Sequence, residues 1–541
     1  MSVLQAALIA LMYAFARSAF NAGLGGYVLS QPLVAGTLAG ALLGDPLRGA
    51  QIGGAFNLGT LALSQLRVRL GPDIALVGYV GVPLMLLSGL RPDEEATAAL
   101  FGALLVFGTV LSFARGLFNT LIAHWVDYFA DQGQIEAVAI VSVVPTQIWT
   151  VLTAFIPAFG MLLFDAPTLG GIATSIPAWL QAALRLTQTL LAALGIAASL
   201  RLVAQGSGFA YFLLGWALAP FTGLVQATLL GVSAATIHAY LTRRTLSAGR
   251  DTLVTDVLPS EQSEVYTARR QLAWAEAQMA FLLWMFFHDA GANFERRQNL
   301  GFAAALAPVG RALCETLEER IALLRRTLTL FATEWTFGAA LVGAVVALEE
   351  RRANGEAIND AELVGAKLSG MAALNALGTA IMTNGLASLL VAVGVDLANA
   401  GSLLGVALFV VVQSLAVIGV GFASFNLGFG YVRRFAERAR LNNWLRPALF
   451  GATRLGAFTL GLLVPVFVPL SLPEGAALTI GSVVWSPQTR VLDATLPNGI
   501  PLLLTLSLWV LLRRRWQPLT LFGVCLIAAV FGGAVAELLG W

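Results

Sequence analysis

Cysteine, histidine, lysine and charge of either sign are all scarce in this chain of 541 residues. The two cysteines, Cys314 and Cys525, lie far apart with no second cysteine or histidine near either, so both read as packing residues, outside any disulfide framework or metal site. Three histidines and a single lysine, Lys367, leave few groups for acid-base or nucleophilic work. No nucleophile stands beside a base, no glycine-rich phosphate loop opens a helix and no metal cluster is spaced along the chain. A stand-alone enzyme and a bound cofactor are therefore not expected. Only 11% of residues are charged, where a soluble chain carries about a quarter. With 58% hydrophobic residues and a mean hydropathy of +0.79, that scarcity excludes a water-soluble surface. Disorder, a secreted disulfide scaffold and nucleic-acid binding are excluded on the same ground, and a net charge of +2 from 32 basic and 30 acidic side chains names no partner.

What is present is apolar sequence in lengths that match a bilayer. Charge-free runs cover 137–164, 202–242, 368–395, 397–432, 455–473, 494–512 and 516–536, each long enough to cross at roughly 20 residues per span. Shorter runs at 74–90, 299–310 and 335–348 read as half-helices, re-entrant segments or interfacial helices. Fifty-five glycines and twenty prolines support close helix approach and broken helices. The expected fold class is an all-α polytopic integral membrane protein. The stretch up to Arg17 lacks the charged start and cleavage site of a signal peptide, so it is expected to stay as inserted.

One polar interval, 243–276, divides two apolar halves, and its arginines Arg243 and Arg244 abut the preceding apolar run. The positive-inside rule places it in the cytoplasm as a linker, and it places Arg433, Arg434, Arg438, Arg440 and the triple Arg513-Arg514-Arg515 on the same side. The expected division is 1–242, 243–276 and 277–541. Charge-rich segments at 315–326 and 349–362 read as solvent-exposed, helical elements.

Local motifs then become legible on both sides of the linker. The first half carries Gln31-Pro32-Leu33-Val34, Gly44-Asp45, Gly49, Ile52-Gly53-Gly54 and Pro72-Asp73. The second carries Asn293-Phe294-Glu295-Arg296-Arg297-Gln298-Asn299-Leu300-Gly301-Phe302, Ala347-Leu348-Glu349-Glu350, Ala353-Asn354-Gly355, Ile358-Asn359-Asp360 and Gly401-Ser402-Leu403-Leu404-Gly405. By these motifs the first half resembles the IIC subunit, and the second the IID subunit, of the mannose-family (mannose, fructose, sorbose) sugar phosphotransferase system, fused in one chain. The resemblance implies a trimeric translocator of the inner membrane that moves a hexose-type sugar inward. It also implies separate soluble IIA and IIB partners that carry the phosphoryl group, because no such domain lies on this chain.

The departures matter as much as the matches. Where the family carries an acidic pair this chain has Gly25-Gly26, where it carries a glutamate this chain has Asn57, and where it has a Gly-Asp turn this chain has Gly378, Thr379 and Ala380. An acid inside a membrane is costly and usually held for function, so a joint loss leaves open a diverged member without phosphotransfer, acting as a facilitator, sensor or structural partner.

The candidate substrate-binding residues are Asn57, Asp73, Asn293, Glu295, Gln298 and Thr379. Amides and a carboxylate suit sugar hydroxyls, which need both donors and acceptors. Spacing puts Asn293, Glu295 and Gln298 on one helical turn, and the alternative is that Glu295 pairs with an arginine and caps a helix. Asp45 and Asp73 lie beside prolines, where lining a cavity competes with capping a turn, and capping is favoured for Asp45. Asn57 suits either a hydroxyl or a helix backbone, and Asn375 and Asn384 are candidate stand-ins for the missing acid. His124 and His238 read as isolated, while His288 beside Asp289 stays a watched position.

Overall fold

The computed structural model describes residues 1–64, 73–90, 95–163, 177–203, 208–221, 270–293, 296–329, 331–355, 377–433 and 496–538 continuously, with shorter pieces within 230–237, 358–375 and 454–488. Among them, regular structure is helical except for one antiparallel hairpin, Leu478–Ile480 with Val483–Trp485. Helices dominate because a lipid-exposed backbone must satisfy its own hydrogen bonds. Most of the linker (243–269), residues 204–207, 222–229 and 238–242, and the positions Glu295, Arg434, Arg438 and Arg440 lie outside the described residues, His238 among them.

The first half opens with Val3–Arg17, whose first turn is closed reciprocally by Ser2 and Gln5. A tight helical hairpin follows, Pro32–Leu43 and Pro46–Ser64, turning at Gly44 with a φ of 93°. Each arm starts with proline, which costs no hydrogen bond in a first turn. The arms touch backbone to backbone: a Cβ on Gly36 would stand 2.6 Å from the Gly49 carbonyl, and one on Gly40 2.6 Å from that of Asp45. Small residues at this spacing let helices pack without side chains between them. The run after Asp73 is broken as its length implied, with wide-turned Val77–Gly81 between Ile74–Leu76 and Val82–Ser88.

Among the described residues four helices are long and apolar enough to cross a membrane: Leu100–Asp131, Ile135–Leu162, Thr379–Asn399 and Leu404–Arg433. The first is absent from the runs above although 96–114 is free of charge; Arg115 and Asp127 interrupt its remainder. The structure corrects that omission, since Arg115 is only 5% exposed and neutralised internally. Exposed Ile140, Val144, Ile148, Leu152 and Ile156 form a stripe along Ile135–Leu162, the pattern of a lipid-facing helix surface.

In the second half Trp274–Phe287, Asn299–Leu313 and Trp335–Ala353 gather around buried Trp284, Phe302, Phe331 and Trp335. Helix Leu317–Thr327 is the amphipathic surface element that its charge indicated. The 349–362 segment is not uniformly exposed: Glu349 and Glu350 are buried, the former pairing with Arg326 at 2.9 Å, the latter accepting from Leu272 N and facing Arg433 at 3.3 Å. Their helix continues the apolar run, so these two side chains point inward and take cations with them. On the exposed side of this cluster burial works to raise the Asp360 pKa, but the hydrogen bond from Arg352 and the charge of Arg326 outweigh it and hold the carboxyl below its usual range.

The halves interlock. Gly499–Arg513 and Pro518–Leu538, late in the chain, pack on Ala178–Val203 of the first half. Gln51 Nε2 donates to Ala398 O at 3.0 Å, Asn119 Nδ2 to Ala292 O at 3.0 Å, and Gln147 bridges Ala19 N and Ala290 O. Arg296 grips Asp127 through two hydrogen bonds of 2.7 Å.

The glycine hairpin yields a direct prediction. Gly49→Leu should force the arms apart and lower stability by about 1–3 kcal/mol, as overpacking does, read as a lower unfolding temperature in detergent. An unchanged midpoint would mean that the arms separate without cost.

Candidate functional site

Asp73 anchors a buried charge cluster in the first half. Its Oδ2 accepts from Arg115 Nη1 at 2.6 Å and from Tyr13 Oη at 2.8 Å, and Arg17 Nε stands 3.2 Å away. Asp73 precedes Ile74–Leu76 but makes no capping hydrogen bond, and its Oδ1 has no partner. Two arginines supply more positive charge than one carboxylate balances, so the cluster favours ionised Asp73 and can take a further acceptor. Asp45 does what its position beside Pro46 favours: it is exposed and its Oδ1 accepts from Arg48 N at 3.0 Å, capping Pro46–Ser64.

The Asn293 motif is not the helical turn that spacing suggested. Residues 296–298 form a loop, Arg297 adopts a φ of 61°, and the helix begins only at Asn299. Asn293 Nδ2 donates to Asn299 Oδ1 at 2.7 Å and to Gly291 O, while its Oδ1 accepts from Arg296 N. Gln298 Oε1 accepts from Thr333 N at 2.9 Å, its Nε2 donates to Asp289, and Asn299 Nδ2 donates to Leu328 O. These amides thus tie two loops together and fix the one that runs through Thr333 into Glu334. Glu295 of the same motif lies outside the described residues.

Glu334 is the functional candidate that sequence reasoning missed. It is fully buried at the N-terminus of Trp335–Ala353. Oε1 accepts from the Tyr27 hydroxyl of the first half and from Thr336 N at 2.9 Å, and Oε2 from Thr336 Oγ1 at 2.7 Å and Phe337 N at 3.0 Å. Among the described residues no basic side chain stands within ion-pair distance. Two signals were available: an acid directly before an apolar helical run reads as a cap, and a charge flanked by Trp335 and Phe337 must be held by protein.

Around Glu334 the positions without family acids draw together. Gly378 has no Cβ because one would overlap the Glu334 carboxylate, and Thr379 follows it. On the other side Tyr27 follows Gly25-Gly26 in the wide-turned stretch Gly25–Leu29. Gln31 Nε2 donates to Gly26 O at 3.1 Å, and Gln31 Oε1 accepts from Asn57 Nδ2 at 3.1 Å. Asn57 Oδ1 in turn accepts from Leu33 N at 3.0 Å, satisfying a first-turn amide of Pro32–Leu43. Asn57 and Gln31 are thus tied to the backbone just before Tyr27, Tyr27 reaches Glu334 across the halves, and Thr379 follows the glycine against that carboxylate, whereas Asp73 belongs to a separate cluster.

Thr379 opens a third wide-turned stretch, Thr379–Ala387. Thr379 Oγ1, Thr383 Oγ1 and both amide atoms of Asn384 are buried without partners. Asn375 is half-buried. His288 stacks on Trp335 with ring centroids 5.1 Å apart and its Nδ1 lies 3.2 Å from Met285 O, a packing role; His124 is exposed. Among the described residues no three His, Cys, Asp or Glu side chains gather as a metal ion requires.

Two family models match this chain. The model of the PTS system mannose/fructose/sorbose family IID component matches residues 271–538, and that of the PTS system sorbose-specific IIC component matches residues 3–238. The mannose-specific EIID component of Escherichia coli K12 is 32% identical over 259 residues, 47% of this chain and 90% of that protein. The sorbose-specific EIID component of Lacticaseibacillus casei is 32% identical, over 47% and 89% of the respective chains. The fructose permease IIC component of Bacillus subtilis 168 is 24% identical, over 40% and 81%. A cryo-EM structure of the mannose transporter ManYZ with microcin E492 has a chain 30% identical, covering 49% of this chain and 98% of that one, at a TM-score of 0.34.

Of these clusters the Asp73 pair is the easiest to break. Arg115→Leu should leave the buried carboxylate under-compensated and cost about 3–5 kcal/mol, measured as thermal stability in detergent. Asp73→Asn in that background should recover part of the loss. A single variant as stable as the parent would remove the pair from the list of fold-holding contacts.

Proposed function

Since this chain belongs to the mannose/fructose/sorbose family of the sugar phosphotransferase system and joins its IIC and IID membrane components, we propose that it moves a hexose-type sugar inward through a polar path between its halves. Separate IIA and IIB proteins phosphorylate that sugar, as membership of this family implies. The observation that carries this reading is the set of side chains around Tyr27 and Glu334: amides, a phenol, a carboxylate and unpartnered hydroxyls enclosed by apolar helices. Polar side chains kept inside a membrane protein are costly and mark substrate routes. Wide-turned and broken helices at the same place, Gly25–Leu29 and Thr379–Ala387, are what transporters use to present polar groups at their binding sites.

The candidate residues sort by position in this reading. Asn57 and Thr379 meet the sugar. Asp73, Asn293 and Gln298 brace the frame, and Glu295 is retained as a candidate beside them. The chain sits in the bacterial inner membrane with lipid around it, divided as 1–242, 243–276 and 277–541. Its linker and arginine clusters face the cytoplasm, where IIB docks, and three copies assemble as the resemblance implies. Covalent linkage of the halves keeps them at one-to-one stoichiometry and high effective concentration.

Two measurements test this. In membrane vesicles supplied with phosphorylated IIB, labelled hexose should accumulate as its phosphate, and Asn57→Leu should slow uptake about tenfold by removing paired donors and acceptors. Uptake without phosphorylation would instead favour a facilitator. Separately, a protease site placed after Gly249 should leave the cut halves copurifying through their shared contacts. Halves that part in mild detergent would refute a permanent joint unit.

A further inference from the structure

The Glu334 carboxylate is capped by more than a helix terminus needs. Ser, Thr, Asp and Asn are the side chains that cap helices well, and glutamate is not among them. Three of its four donors, Thr336 N, Thr336 Oγ1 and Phe337 N, come from the first turn that Glu334 itself caps. The fourth, Tyr27, comes from the other half of the chain, on a five-residue wide turn that starts with two glycines. A Cβ on Gly26 would meet nothing within 4 Å, so the backbone just before Tyr27 is bordered by open space. Tyr27 is therefore the donor that can leave while the cap stays intact.

The stretch after Gly378, whose backbone abuts the Glu334 carboxylate, supplies a second and independent observation. In a helix closed by i to i+5 hydrogen bonds, residues four and five apart share a face, which puts Thr379, Thr383 and Asn384 on one side. Asn384 is 1% exposed and neither its amide oxygen nor its amide nitrogen has a partner. Gln413, from Leu404–Arg433, reaches the Met382 carbonyl at 3.5 Å but its own Oε1 is unpartnered. Native proteins rarely leave several buried polar atoms unpaired in one place, and such clusters call for an unseen hydrogen-bonding group. The set offers donors and acceptors alternately, the requirement of a neutral polyhydroxylated molecule.

We propose that Glu334 and Asn384 form the hydroxyl-recognising subsite for the transported sugar, and that the Tyr27 hydroxyl holds the Glu334 acceptor position which a sugar hydroxyl takes over on binding. This rests on the reading of the chain as a sugar permease. Phenol and sugar O–H groups are alike as donors, so the exchange keeps every lone pair of the carboxylate satisfied. It also frees Tyr27, and with it the contact between the halves, so that ligand arrival is coupled to a movement of one half against the other.

The test is equilibrium binding of labelled mannose, fructose and sorbose to the purified full-length chain. Glu334→Gln keeps the shape but turns one acceptor into a donor, and should weaken binding of whichever sugar the parent binds by about a hundredfold, as loss of a charged hydrogen-bond partner does. Asn384→Leu should weaken it by about tenfold or more. Tyr27→Phe removes the competing donor and should tighten binding by at least about threefold, an effect that damage to the fold would not produce. A parent that binds sugar with Glu334→Gln binding equally well overturns the subsite, and Tyr27→Phe that weakens binding overturns the exchange; in both cases the permease reading stands. A folded parent that binds none of the three sugars counts against the permease reading, and the subsite falls with it.

Discussion

A carboxylate that meets no cation among the described residues, enclosed by apolar helices, is held by dipoles. At Glu334 the holding is done by the start of Trp335–Ala353, whose free amides and positive end converge on Oε1 and Oε2. Much of the second half is arranged to keep that start in place. The amides of Asn293, Gln298 and Asn299 lock the preceding loop. Trp284 donates to Trp335 O at 3.0 Å and sets the angle of the first turn. Gly378 leaves room for the carboxylate, and the first half contributes Tyr27. Removing any one of these shifts the charge, which in a low-dielectric interior is worth far more than the same shift at a surface.

The Asp73 cluster solves the same problem differently. There charge meets charge, with Arg115 and Arg17 on one carboxylate. Buried ion pairs contribute little net stability against an apolar packing of the same volume, but breaking one is severe. The cluster thus reads as a fixed rivet between Val3–Arg17, the run after Asp73 and Glu95–Asp131, whereas Glu334 is bound among the described residues by neutral donors. In the proposed reading that difference makes one site a brace and the other a place for a ligand.

The polytopic class and both family-like halves were legible in the sequence because they rest on long apolar runs and ordered motifs, signals that survive without three-dimensional information. The burial of Arg115 within Glu95–Asp131 was not, because only the distant Asp73 explains why an arginine is tolerated there. The convergence of Gly25-Gly26, Asn57 and Thr379 was equally invisible: these residues are far apart in the chain and meet only through Gln31, Tyr27 and Glu334. Spacing also misassigned the Asn293 motif to a helical turn, since a positive φ at Arg297 leaves no periodic trace in a sequence.

The missing acids then take on another meaning. Counted position by position they imply a lost function, but an interior needs a carboxylate at a place in space, and the chain can supply it from any element that reaches there. Glu334 reaches the ground between Gly26 and Gly378 from a helix start that already offers three donors, so the carboxylate arrives with its solvation built in. An acid placed on the wide-turned stretch Thr379–Ala387 would have no such cap. With Thr379 and Asn384 neutral, that stretch presents hydroxyl and amide groups and adds no second negative charge to the one that the start of Trp335–Ala353 already holds.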